Sequence, residues 1–136
     1  MWSDAVSACA AVLSHGGRGT VLTALAQGVP VCTIPLSADQ PVTASLVERA
    51  GAGLCCATGE VRMGPLALPY ADPEQLDPGM IRHKIRRVVY EPSFTKRARI
   101  PQAEIAELAG PEQVAHLVEA LLAPEGRNVV STLNLR

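Results

Sequence analysis

The sequence predicts an α/β fold in which a short parallel sheet is flanked by helices. Two observations carry that prediction. Short apolar runs end at glycine, proline or polar turns, as buried parallel strands do. Amphipathic patterns of helical length separate them, giving the order β-α-β-α-β, which requires parallel strands joined by right-handed crossovers. Composition agrees, since 48% apolar and 18% charged residues in a chain of 136 suit one globular domain rather than a disordered segment.

The elements follow in order. Ala10 to Ser14 reads as the first strand, Val29 to Ile34 as the second and Gly53 to Cys56 as the third. Between them lie helical patterns over Gly19 to Gln27 and Gln40 to Ala50, closed by Gly28 and Gly51 where a helix C-cap belongs. Gly59 to Pro78 is rich in glycine and proline and reads as an irregular connection. Helices are then predicted over Gly79 to Tyr90, Ser93 to Leu108 and Pro111 to Leu122, the last opening on a proline at its first position. A domain over residues 1–123 and a flexible tail over 124–136 complete the division, with VVSTLNLR in the tail a possible edge strand. A complete doubly wound domain has five or six parallel strands and only three are legible, so the chain reads as the later part of one.

Several function classes drop out. A formal charge of −1 gives no general attraction to nucleic acid or anionic membrane. No apolar run approaches the roughly 20 residues of a membrane span. The N-terminus lacks the basic start of a secretory signal. Cys9, Cys32, Cys55 and Cys56 form no CxxC pair and complete no zinc pattern, so no metal site is expected. They read as buried thiols in a reducing cytoplasm. Arg82, His83, Lys84, Arg86, Arg87, Lys96, Arg97 and Arg99 concentrate positive charge, but Ile81, Ile85, Val88 and Val89 make an apolar stripe beside them. The charges therefore read as the solvated face of an amphipathic helix. His83 and His116 read as surface residues.

The chemistry concentrates in SHGGRGT, residues 14–20. A strand, a glycine-rich turn and a helix make an anion site, because the first helical amides have no partner and the macrodipole places positive charge there. His15, Gly16, Gly17, Gly19 and Thr20 are the candidate ligands for a phosphate group. Taken alone, the glycines are also explained by tight strand–helix packing. GxxxxGK[ST], GxGxxG and GxSxG are all absent, excluding the P-loop, the dinucleotide fingerprint and the esterase elbow. Asp39 and Gln40 follow the second strand, and ligands of open parallel sheets bind beyond the carboxyl ends of strands. Turn and pair should line one crevice, with a diphosphate on the turn and an attached sugar near Asp39 and Gln40. In isolation, Asp39 is equally well read as the N-cap of the next helix.

HGGRGTVLTALAQGVP followed by IPLSADQP resembles the donor-binding signature of the UDP-glycosyltransferase family, which has the GT-B fold, and its bacterial natural-product and macrolide branch in particular. The resemblance is strong over residues 2 to 56 and weaker to about 122. It implies a partial Rossmann-like, GT-B C-terminal domain that transfers a hexose or deoxyhexose from a nucleotide-diphosphate sugar to a small-molecule hydroxyl with inversion. By this resemblance His15, Gly16, Gly17, Gly19 and Thr20 hold the donor diphosphate, and Asp39 and Gln40 the sugar. Thr23 stands where plant members carry the glutamate that grips the ribose hydroxyls, which leaves room for a dTDP-sugar beside a UDP-sugar. Trp2 stands too close to His15 to match the tryptophan on which members stack the base. No cofactor or metal is implied. The catalytic base and the acceptor site belong to the family's other domain, so no catalytic residue is expected in this chain, and a separate acceptor-domain chain or a homo-oligomer is the expected partner. The alternative is a non-catalytic remnant or interaction module. With its first strands absent, the isolated chain is expected to be oligomeric or marginally folded.

Overall fold

The computed structural model describes residues 2–108 and 110–122. The predicted tail over 124–136, including VVSTLNLR, lies outside the described residues. Residues up to Ala106 make one compact unit, and Pro111–Leu122 belongs to a second, described separately below.

A short helix α1 (Trp2–Ser7), unforeseen in the sequence, precedes strand β1 (Val12–Ser14). Then come α2 (Arg18–Ala26), β2 (Val31–Thr33), α3 (Gln40–Ala50) and β3 (Gly53–Cys55). The strands form the expected parallel sheet in the order β1-β2-β3, with Val12 level with Val31 and Val31 level with Gly53. Each strand is shorter than its apolar run because the ends of the run enter turns. Val31 and the helical residues Val21, Ala24, Leu25 and Val47 are buried and join Val6, Val29, Ala52 and Ala98 in one cluster. Helix α4 (Pro78–Tyr90) packs against β2 and β3, and α5 (Pro92–Ala106) packs against α2 and α4. Asp77 caps α4 by accepting from the amides of Gly79 and Met80 at 3.0 and 2.9 Å, which fixes the start of that helix.

The expected irregular connection is instead an antiparallel hairpin, β4 (Gly59–Met63) and β5 (Leu66–Tyr70). Met63 pairs with Leu66, so Gly64 and Pro65 make a two-residue loop, and Gly64 supplies its left-handed φ of +60°. Pro69 breaks a central strand but is tolerated in a hairpin with free edges. Around the hairpin, Thr58 donates its amide to Tyr70, and Ala71 donates to Pro35 at 2.8 Å, tying the excursion to the end of β2.

The two edges of the three-stranded sheet differ. Bonding to β2 uses Val12 and Ser14, so the amide and carbonyl of Leu13 point to the open side, where no described residue pairs with them. On the far edge the Cys55 amide donates to Glu48 Oε1 at 2.8 Å, and Lys84 Nζ donates to the Cys55 carbonyl. Lys84 is thereby an exception to the expected solvated charged face of α4. Side chains cap Cys55 on one edge and leave Leu13 bare on the other.

The cysteines divide as well. Cys32, Cys55 and Cys56 are buried as expected, but Cys9 is exposed between α1 and β1, a correction to the all-buried reading. Apolar neighbours in the sequence did not bury it because that segment is a surface connection. Cys32 and Cys56 place their sulfurs 3.5 Å apart. Their hydrogen bond and burial push the Cys32 thiol above the ordinary range, while the bond holds Cys56 below it. Burial pushes the Cys55 thiol up to about 11. In native protein at neutral pH, Ellman's reagent should therefore titrate Cys9 rapidly and the other three only on denaturation. Fast reaction of a second thiol without unfolding would contradict this arrangement.

The second unit contains α6 (Pro111–Leu122), with the predicted boundaries. Gly110 accepts from the amides of Gln113 and Val114, and Val114, Leu117, Val118 and Leu121 fall on one side at helical spacing.

Candidate nucleotide-sugar site

The carboxyl ends of β1 and β2 position the candidate residues. Beyond Ser14 the chain turns at once into α2, and the turn is organised by the Ser14 hydroxyl, which accepts from the Gly16 amide at 3.1 Å. Gly16 adopts a φ of +87°, a conformation that L side chains rarely take. It is buried, and a Cβ there would stand 3.5 Å from the Gln40 carbonyl and 3.6 Å from Thr33 Cβ. The turn therefore lies directly against the end of β2 and the start of α3.

Gly17 precedes α2 with extended dihedrals, and the first bond of the helix runs from the Val21 amide to the Gly17 carbonyl at 3.1 Å. The amides of Arg18, Gly19 and Thr20 have no partner within the helix and crowd its positive end. The exposed His15 side chain lies over Gly17, where a Cβ would come 2.6 Å from Nε2. A Cβ on Gly19, by contrast, would meet no atom within 4 Å, so that side of the first turn is open. Thr20 is half-buried in the same turn. Thr23, one turn further on, donates its hydroxyl back to the Gly19 carbonyl at 2.9 Å.

Beside the turn stand Asp39 and Gln40. The Gln40 Oε1 accepts from the amides of Leu36 and Ser37 at 2.9 and 3.1 Å, so it holds the loop after β2 while its amide nitrogen keeps its donors. Ala38 is the one described non-glycine residue with positive φ, at 54°. The alternative of Asp39 as a side-chain N-cap is not realised: it precedes α3 in helical dihedrals and its carboxylate makes no cap bond. Instead Asp39 Oδ2 meets Arg18 Nη2 at 3.5 Å. Turn and pair, named from sequence as two walls of one crevice, are in contact. The sequence reading assigned Arg18 no part in it.

A cavity of about 330 Å³ lies between α2 and α3, lined by Val21, Leu22, Leu25, Val42, Leu46 and Pro101, with Arg18 among its lining residues. Its walls are apolar and offer a diphosphate little beyond that arginine. No three or more His, Cys, Asp or Glu side chains among the described residues are placed to hold a metal ion. His83 and His116 are exposed, as expected. The side chain of Trp2 lies outside the described residues.

Residues 2–121 match the family model described as erythromycin biosynthesis protein CIII-like, C-terminal domain. The elloramycin glycosyltransferase of Streptomyces olivaceus is 36% identical over 107 residues, covering 79% of this chain and 22% of that protein. The TDP-daunosamine transferase of Streptomyces peucetius is 32% identical over 125 residues, covering 89% and 26%. Among solved structures, a calicheamicin glycosyltransferase matches with a TM-score of 0.68 at 30% identity, over 89% of this chain and 28% of that one. Spinosyn forosaminyltransferase matches with a TM-score of 0.71 at 26% identity, over 88% and 28%. The chain thus spans about a quarter of the length of these relatives.

Proposed function

The chain belongs to the erythromycin biosynthesis protein CIII-like C-terminal domain family, and on that footing we propose that it is the donor-binding part of an inverting glycosyltransferase acting on a small-molecule hydroxyl. The observation that carries the proposal is the meeting of the Gly16 to Thr20 turn with Asp39 and Gln40 at the ends of adjacent strands. Unpaired amides of α2, the open side at Gly19 and the Thr20 hydroxyl suit a diphosphate, with His15 as a further donor. The Asp39 carboxylate and the free Gln40 amide suit sugar hydroxyls. A thymidine diphosphate deoxysugar is the favoured donor. Thr23 offers no carboxylate to a ribose 2′-hydroxyl, and one relative is named a TDP-daunosamine transferase.

The reaction needs a base that takes the acceptor's proton as its oxygen attacks the anomeric carbon and the diphosphate leaves. We assign base and acceptor site to another domain or chain, and to this chain the binding and charge stabilisation of the leaving diphosphate. No cofactor or metal enters. The buried thiols suit a reducing cytoplasm, and no described helix is long and apolar enough to cross a membrane.

A thermal-shift series with UDP, dTDP and their hexose conjugates tests the reading. Ligand at a hundred times its Kd stabilises the folded state by about 2.7 kcal/mol, a rise of roughly 10 °C for a domain of this size. The dTDP conjugate should give the largest rise. An unchanged melt at millimolar concentrations of all four ligands would leave the interaction-module alternative in possession.

A further inference from the structure

The donor site outlined above gives the Arg18 side chain no task, although Arg18 pairs with Asp39 across it at 3.5 Å. Arg18 opens α2, and Asp39 immediately precedes α3, so one charge pair joins the two walls of the crevice. Both side chains are well exposed, at 69% and 50%. Exposed pairs of this kind contribute at most about 1 kcal/mol, so the contact is readily exchanged for a better one. Asp39 has no capping duty that would hold it in place.

Each partner has a better alternative within reach of the same crevice. A guanidinium binds a diphosphate through parallel charge-assisted bonds, and the positive end of α2 draws that diphosphate to the turn Arg18 belongs to. A carboxylate released from Arg18 recovers the acceptor positions that sugar hydroxyls require. Held together, the two block each other.

We propose that Arg18 is a diphosphate-binding residue kept in reserve by Asp39, and that a diphosphate frees Asp39 for the sugar by drawing Arg18 away. The proposal rests on the donor-site reading and specifies how its two halves communicate. The exchange makes the halves mutually supportive, since binding couplings are reciprocal. A nucleotide sugar then binds more tightly than independent diphosphate and sugar contacts predict, and empty protein does not retain free sugar.

Isothermal titration of the full chain with inorganic pyrophosphate, dTDP and dTDP-glucose tests this, using wild type, Arg18→Gln, Asp39→Asn and the double variant. Both side chains are exposed, so all four proteins should give the same melting profile. Arg18→Gln should weaken pyrophosphate and dTDP about fivefold, corresponding to one exposed charge contact of about 1 kcal/mol. It should also flatten their dependence on salt between about 50 and 300 mM. Asp39→Asn should tighten pyrophosphate and dTDP about two- to threefold yet weaken dTDP-glucose. The signature is non-additivity: with Gln at 18, Asp39→Asn should no longer tighten pyrophosphate.

Equal tightening in both backgrounds would mean simple charge repulsion and would overturn the exchange. So would an Arg18→Gln variant with unaltered affinities, while retained dTDP binding would leave the donor site standing. If pyrophosphate follows the predicted pattern but no nucleotide binds, the exchange holds and the donor assignment falls. If wild type binds neither, both are overturned.

Discussion

Replacing Gly53 with alanine should abolish cooperative folding or lower the melting temperature by more than about 12 °C. The reason is backbone, not conformational preference. A Cβ at this position would lie 1.7 Å from the Val31 carbonyl oxygen, 2.8 Å from the Val31 carbonyl carbon and 2.8 Å from Val47 Cγ1. Val31 is level with Gly53 in the ladder, so relief requires β2 and β3 to part where they are bonded and α3 to lift from the sheet. Val31, Val47 and Ala52 all belong to the buried cluster, and none has a flexible end that can move aside. A penalty of about 4 kcal/mol or more is large against the 5–15 kcal/mol that stabilises an ordinary domain. Gly59→Ala is the matched control, because nothing lies within 4 Å of its added methyl. A Gly53→Ala chain that melts within about 2 °C of wild type would show that β2 and β3 are further apart than described.

Gly19→Leu should do the opposite: preserve or raise stability while removing nucleotide binding. The site is open, and Gly19 is the second residue of α2, where glycine is worse than other residues by up to about 1 kcal/mol. Nothing in the folded chain requires glycine here. On the proposed donor site, a leucine side chain would occupy the space through which a diphosphate reaches the amides of the first turn, and an occluded site should cost at least about 2.7 kcal/mol, or a hundredfold in Kd. Calorimetric melts paired with dTDP titrations decide it. Binding that survives within threefold would remove the first turn of α2 from the donor site, and a collapse in stability would mean that the glycine serves packing.

These two glycines illustrate how far the sequence could be read. The three strands, five of the six helices and the nearness of the glycine turn to Asp39 and Gln40 were legible because each depends on nearby residues: apolar runs, glycine and proline punctuation, and connections short enough to fix which strand ends meet. Boundaries of α3 and α6 coincide with those predicted because Gly51 and Pro111 mark them. The hairpin was missed because its two prolines and two glycines look like loop chemistry, although Val61, Met63, Leu66 and Leu68 flank a two-residue turn. Helix α1 is too short to display a period. The unfilled space at Gly19 and the crowding at Gly53 look identical in one-letter code and separate only in three dimensions. The same holds for Arg18 and Asp39, whose pairing depends on the relative directions of two helices rather than on any spacing along the chain.

The unequal sheet edges also bear on how the protein behaves when concentrated. Fibrous growth by strand addition requires a molecule that offers two bonding sides, one to receive and one to pass on. Here Glu48 and Lys84 occupy the backbone groups of Cys55 on the β3 edge, while Leu13 presents free backbone groups on the β1 edge. Association of this sheet is thereby directed to β1. Glu48 and Lys84 thereby act as terminators at Cys55, hindering onward addition of a strand there.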